Sequence, residues 1–171
     1  MNKNFVFGAI TVLVLLGGSV WFFVSNKPAE EKMMEKTDTT LDTNMKAEGY
    51  QGNVIAGKTS PYLEFNKNDY DKAINEGKFI VLNFYANWCP ICRPEQKEWQ
   101  SAFNEITDLN VIGFRVNYND SDTDEDEKKL AKEFDITYQH TKVILKNGKE
   151  IFKVTEQWDK DQILSQVDKY K

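Results

Sequence analysis

Cys89 and Cys92 are the only thiols in this 171-residue chain, and they stand in the segment Trp88-Cys89-Pro90-Ile91-Cys92 directly after the apolar run Phe79 to Ala86. Thiols at this spacing can close a disulfide on each other, and a thiolate attacks a foreign disulfide through a mixed-disulfide intermediate. The preceding run, rich in β-branched and aromatic residues, predicts a strand buried on both faces, as in parallel sheets. A helix starting at the carboxyl end of such a strand presents free N–H groups and the positive end of its dipole, which favour an anionic sulfur. Cys89 is therefore expected to attack, and Cys92, one turn further on, to resolve the mixed disulfide. With no other cysteine there is no structural disulfide framework, so the pair serves exchange. A four-ligand structural zinc site is excluded by counting, because the chain has a single histidine, His140.

The elements that must position these thiols follow from periodicity. Tyr62 to Phe65 reads as a short edge strand, and Asn66 or Asn68 can cap a helix through Tyr70, Ala73 and Ile74 that Gly77 stops. After Cys92, Trp99, Phe103 and Ile106 form an apolar stripe at helical spacing, packed on a sheet. Val111 to Val116 predicts a parallel strand, and a helix from about Asp122 runs through Leu130, Ala131 and Phe134. Thr141 to Leu145 and Glu150 to Val154, joined through Asn147-Gly148, predict an antiparallel hairpin. A last helix buries Ile163, Leu164, Val167 and Tyr170. The acidic run Asn119 to Glu127 places Asp120, Asp122 and Asp124 at alternate positions, as in a calcium loop. Glu125 stands where that loop needs glycine and Ala131 where it needs glutamate, so an acid-rich helix start is the better reading.

Upstream, Phe5 to Val24 holds no charged residue, and 20 residues rising ~1.5 Å each span about 30 Å, the hydrocarbon thickness of a bilayer. Residues 1–4 read as an N-terminal tail, 5–24 as a retained transmembrane anchor, 25–58 as a flexible linker and 59–171 as the folded domain. A cleaved signal peptide competes with the anchor, but the apolar stretch is long for one and Gly17-Gly18-Ser19 is a poor cleavage site. The linker is polar and charged, with few branched apolar residues to bury. The short tail suggests a domain on the extracytoplasmic side. From Thr59 onward there are 16 basic and 21 acidic residues, with no basic face for nucleic acid. A monomer is expected.

Phe84-Tyr85-Ala86 followed by Trp88-Cys89-Pro90-Ile91-Cys92 resembles the active site of the thioredoxin superfamily. The order of elements from Tyr62 to Tyr170, including the turn at Lys146-Asn147-Gly148-Lys149, is similar too. The resemblance implies an α/β thioredoxin fold, a central mixed β-sheet flanked by helices, preceded here by the transmembrane helix. It implies a thiol–disulfide oxidoreductase acting on protein thiols and disulfides, with a membrane or soluble redox partner and no cofactor. Trp88, Pro90, Ile91, His140 and Thr141 would then support the catalytic pair Cys89 and Cys92. The spacer Pro90-Ile91 is not the usual thioredoxin pair and leaves the direction of electron flow open.

Two positions depart from that pattern. Asn83 stands where thioredoxin carries a buried aspartate, and an amide cannot take a proton from Cys92. Counting back from the hairpin turn, His140 falls where the family carries a cis-proline facing the cysteines. Two thiolates and an imidazole make three soft ligands with an open fourth position, so Cys89, Cys92 and His140 form the alternative reading: a Cu(I) carrier or assembly factor. On the redox reading His140 is a polar lid near Cys89, and proline restored at 140 is expected to leave exchange intact.

Overall fold

The computed structural model describes residues 49–171. The expected anchor at 5–24, the tail before it and the linker as far as residue 48 lie outside the described residues. Among the described residues no helix is long and apolar enough to cross a membrane.

Ten elements alternate along the described chain: β1 (Val54–Ala56), β2 (Tyr62–Glu64), α1 (Lys67–Asn75), β3 (Phe79–Tyr85), α2 (Cys92–Glu105), β4 (Val111–Asn117), α3 (Glu125–Glu133), β5 (Thr141–Lys146), β6 (Lys149–Thr155) and α4 (Lys160–Tyr170). The strands form one mixed sheet in the order β1-β2-β4-β3-β5-β6. β4 pairs parallel with both β2 and β3, whereas β5 runs antiparallel to β3 and β6. Six of the seven residues of β3 are buried, as its apolar sequence, interrupted only by Asn83, requires of a central strand covered on both faces. The hairpin turn between β5 and β6 puts Asn147 at φ 52° and Gly148 at φ 72°. Two consecutive left-handed residues match the right-handed twist of the paired strands, and Asn-Gly reaches that geometry at least cost.

Side chains alternate across β3. Ile80, Leu82 and Phe84 join Leu63, Phe114, Leu130 and Val143 in one apolar layer. Phe79 and Val81 join Tyr62, Trp99, Phe103, Ile144 and Ile163 in the other, beneath α2 and α4. In that second layer a Cβ at Gly113 would lie 2.4 Å from Phe103 Cζ and 2.7 Å from Tyr62 Cδ2. Glycine in β4 thus lets two rings stacked 5.0 Å apart lie against the sheet, and any larger residue forces them off it.

Three sequence expectations are corrected. The folded part begins before residue 59: β1 occupies positions assigned to the linker, pairs with β2, and is preceded by Gln51 and Gly52, whose N–H groups donate to Asp69. Three residues are too few to show a strand period, and the carboxylate that ties down the segment before them lies in α1. Tyr62 to Glu64 is consequently an interior strand rather than an edge. α3 starts at Glu125, not near Asp122, because Asp124 accepts the Glu127 N–H at 2.8 Å while Glu127 accepts the Asp124 N–H at 2.9 Å, a reciprocal capping box. The acids before it are not a helical turn but a loop, and that loop reaches Asn87 and Trp88, just ahead of the first thiol.

Candidate active site

β3 ends at Tyr85 and α2 begins at Cys92, so the six residues between them cross the carboxyl edge of the sheet. Ile91, at the N-cap of α2, offers no capping side chain. The sulfur of Cys89 takes that place, accepting the Cys92 N–H at 3.2 Å. An amide N–H aimed at a sulfur stabilises the negative charge that the sulfur carries as nucleophile or leaving group. The segment is held from several sides. Asn87 donates its N–H to Asp120 at 2.7 Å and its side-chain amide to Ser121 at 2.8 Å, and its carbonyl accepts Arg93 Nε at 2.9 Å. Trp88 donates its indole N–H to the Asn119 carbonyl at 3.0 Å. The acidic run read as a helix start therefore also clamps the loop that carries Cys89.

Both cysteines are reduced and buried. Trp88 and Ile91 are 49% and 39% exposed, and Pro90 is exposed beside them, so an apolar rim surrounds the sulfurs. Burial pushes the Cys92 thiol up to about 12, helped by its hydrogen bond with Cys89. Cys92 thus keeps its proton unless a base takes it.

Asn83 is buried at the expected place, but it donates to the Tyr62 hydroxyl at 3.0 Å and holds no charge. The register sets Asn83 opposite Lys142, so the two side chains share a face of the sheet. Lys142 Nζ forms an ion pair with Glu95 of α2, their side chains 0% and 1% exposed. The same Nζ donates to the carbonyls of His140, at 2.9 Å, and Glu156. Glu95 Oε1 also accepts the Trp158 N–H at 2.8 Å. Burial drives the Lys142 ammonium below its ordinary range; Glu95 opposes the shift most, then the charges of Cys92 and Cys89. Sequence reasoning passed over both residues, although each left a signal. Glu95 lies at i, i+4 and i+8 with Trp99 and Phe103, a carboxylate on an apolar stripe. Lys142 interrupts an otherwise apolar strand on the same face as Ile144.

His140 sits at φ 51°, and its N–H donates to the Phe84 carbonyl at 2.6 Å. Proline has no N–H and is locked near φ −65°, so the expectation that proline would be tolerated at 140 does not hold for this backbone. The imidazole approaches both cysteines, the three potential ligand atoms lying within 4.8 Å of one another. Burial, then the nearby Lys142, lowers its proton affinity. Thr141, buried, donates to the Tyr138 carbonyl at 2.7 Å and pairs with Thr155 at 2.8 Å, which fixes the start of β5 next to the site.

A family model described as Thioredoxin matches residues 61–169. The chain belongs to the thioredoxin family. Thioredoxin-2 of Pyricularia oryzae is 25% identical over 131 residues, covering 75% of this chain and 69% of its own length. The thiol-disulfide oxidoreductase ResA of Oceanobacillus iheyensis is 25% identical over 137 residues, 80% of this chain and 64% of that protein. Among solved structures, the thioredoxin of Aeropyrum pernix superposes with a TM-score of 0.54 at 13% identity, covering 75% of this chain and 98% of its own, a likeness of fold alone. The thioredoxin domain described here thus carries the site of a thiol–disulfide redox enzyme, with a neutral Asn83 and a buried Glu95–Lys142 ion pair on the same side of the sheet.

Proposed function

We propose that the domain exchanges the Cys89/Cys92 dithiol and disulfide with proteins outside the cytoplasm, held at a membrane by residues 5–24. The charge-free stretch Phe5 to Val24 supports the anchor. The observation that carries the exchange reading is the asymmetry of the pair: the Cys89 sulfur caps α2, while the Cys92 thiol is held protonated up to about 12.

In the reducing direction the Cys89 thiolate attacks one sulfur of a partner disulfide, forming a Cys89–partner bond and releasing the other partner sulfur as thiolate. Cys92 then gives up its proton and attacks Cys89 Sγ. The Cys89–Cys92 bond forms, the partner's second thiolate leaves, and two electrons have passed from the domain to the partner; oxidation of a partner dithiol is the reverse. Glu95, one turn along α2 from Cys92 and buried with Lys142, is the base this structure offers in place of the missing aspartate. His140 is the polar lid beside the nucleophile.

Cys92→Ser is expected to accumulate mixed disulfides with partner proteins, visible as thiol-reversible adducts after acid quenching. Cys89→Ser is expected to accumulate none, and adducts on that variant instead would reverse the assignment. Mass analysis of the membrane-extracted protein tests the anchor, an amino terminus beyond Val24 counting against it.

A further inference from the structure

We propose that the reduced site also binds one soft cation, Cu(I), through Cys89 Sγ, Cys92 Sγ and one ring nitrogen of His140. Among the described residues these three alone bring together a group of ligand atoms of this kind, all within 4.8 Å of one another. Metal–sulfur and metal–nitrogen bonds of about 2.3 and 2.0 Å require ligand separations of roughly 3.5–4 Å. The closure needed is therefore about 1 Å, within the reach of side-chain rotation.

The root of the imidazole is fixed rather than free. The His140 N–H is committed to Phe84 and its carbonyl to Lys142, so the backbone at 140 is held beside the thiols from both sides. Its Nδ1 is buried with no hydrogen-bond partner among the described residues. A buried polar atom left unpaired is costly, and a bound ion offers one way to relieve the site of that cost. Two thiolates and Cu(I) leave one net negative charge, beside a buried Lys142 whose ammonium is held on the His140 carbonyl at 2.9 Å.

The donor set selects the ion. Thiolate and imidazole are soft to intermediate ligands, which favour Cu(I) and Zn²⁺ over hard oxygen-seeking cations; of these two, Zn²⁺ calls for a fourth ligand, whereas three donors suit a trigonal Cu(I) site. Loading displaces the thiol protons, because only the deprotonated sulfurs ligate. A loaded domain has no free nucleophile, so metal binding and disulfide exchange exclude each other. Exchange therefore begins only after the ion has left, and once the sulfurs are joined in the Cys89–Cys92 bond the site cannot reload until the pair is reduced again.

The test uses the full chain, reduced under anaerobic conditions and titrated with Cu(I) against a chromogenic Cu(I) chelator. One ion per chain is expected, with X-ray absorption showing two sulfurs and one nitrogen about the copper. His140→Asn keeps a backbone N–H and a residue that accepts left-handed φ, and it removes the imidazole. It is expected to weaken binding by at least the ~10–100-fold seen when only an outer-shell group is lost. A copper shell without nitrogen in the wild type overturns the proposal, whether or not the variant folds. So does equal affinity of the folded His140→Asn variant, or of Cys92→Ser, and the wild type. Mixed-disulfide trapping is scored on copper-free protein, so loss of the metal reading leaves the exchange reading standing or falling on its own result.

Discussion

Cys89 and Cys92 are three residues apart in sequence, but one is positioned from the surface and the other from the interior. The loop before Cys89 is tied down by polar contacts to Asn119, Asp120 and Ser121, several of them open to water. Behind Cys92 lie Glu95 and Lys142, an ion pair wholly removed from solvent. Surface contacts hold a reactive segment in place at little cost if one is lost, because water can replace the missing partner. A buried pair has no such substitute: each charge depends on the other. The nucleophile that must meet partners is thus set in a replaceable mount, and the thiol that must wait for its turn is set in an irreplaceable one.

That contrast is most exposed at the ion pair. Lys142→Ala leaves Glu95 buried without its cation and is expected to cost about 3–5 kcal/mol, measured by guanidinium unfolding. Glu95→Gln combined with Lys142→Met removes both charges while keeping an acceptor for the Trp158 N–H, and is expected to recover most of that loss. Equal losses in the single and double variants would show that the charges are not what Lys142 contributes.

The second break is with pH, on the reduced protein. The unfolded chain releases the Cys92 proton near the ordinary thiol value of 9.0, whereas the folded domain keeps it up to about 12. Between those values the unfolded state binds fewer protons, so the contribution of Cys92 to stability is complete below pH 9 and falls as pH rises toward 12. The slope is at most about 1.4 kcal/mol per pH unit. Tyrosines and lysines titrate over part of the same range, so the quantity to measure is the difference between wild type and Cys92→Ser. Parallel stability curves would mean that the interior does not hold the proton.

The smallest effect is expected on the outer side. Asp120→Ala removes the acceptor for the Asn87 N–H and for Thr123 and is expected to cost about 1–2 kcal/mol. It should also slow the reaction of Cys89 with a chromogenic disulfide in stopped flow, leaving the alkaline slope assigned to Cys92 unchanged. A rate equal to wild type would show that the acidic loop does not position the nucleophile.

The sequence by itself determined the parts that local pattern encodes: the buried strand, the cysteine pair at its end, the aromatic stripe of α2 and the Asn147-Gly148 turn. Hydrophobic period and turn chemistry act over a few residues, so they can be read without knowing the partners. Only the tertiary structure decided which of several acids and lysines are buried. Glu95 and Lys142 become a pair because α2 lies across β5 and the register sets Lys142 beside Asn83. The same holds for β1, whose three residues pair with β2 behind a segment that a carboxylate on α1 ties down at Gln51 and Gly52, and for Asp120, whose helix-start composition concealed a contact with Asn87. Charge is the term that sequence leaves most open, because its worth depends on solvent exposure and on an opposite charge brought from elsewhere in the chain, and both are properties of the packed fold.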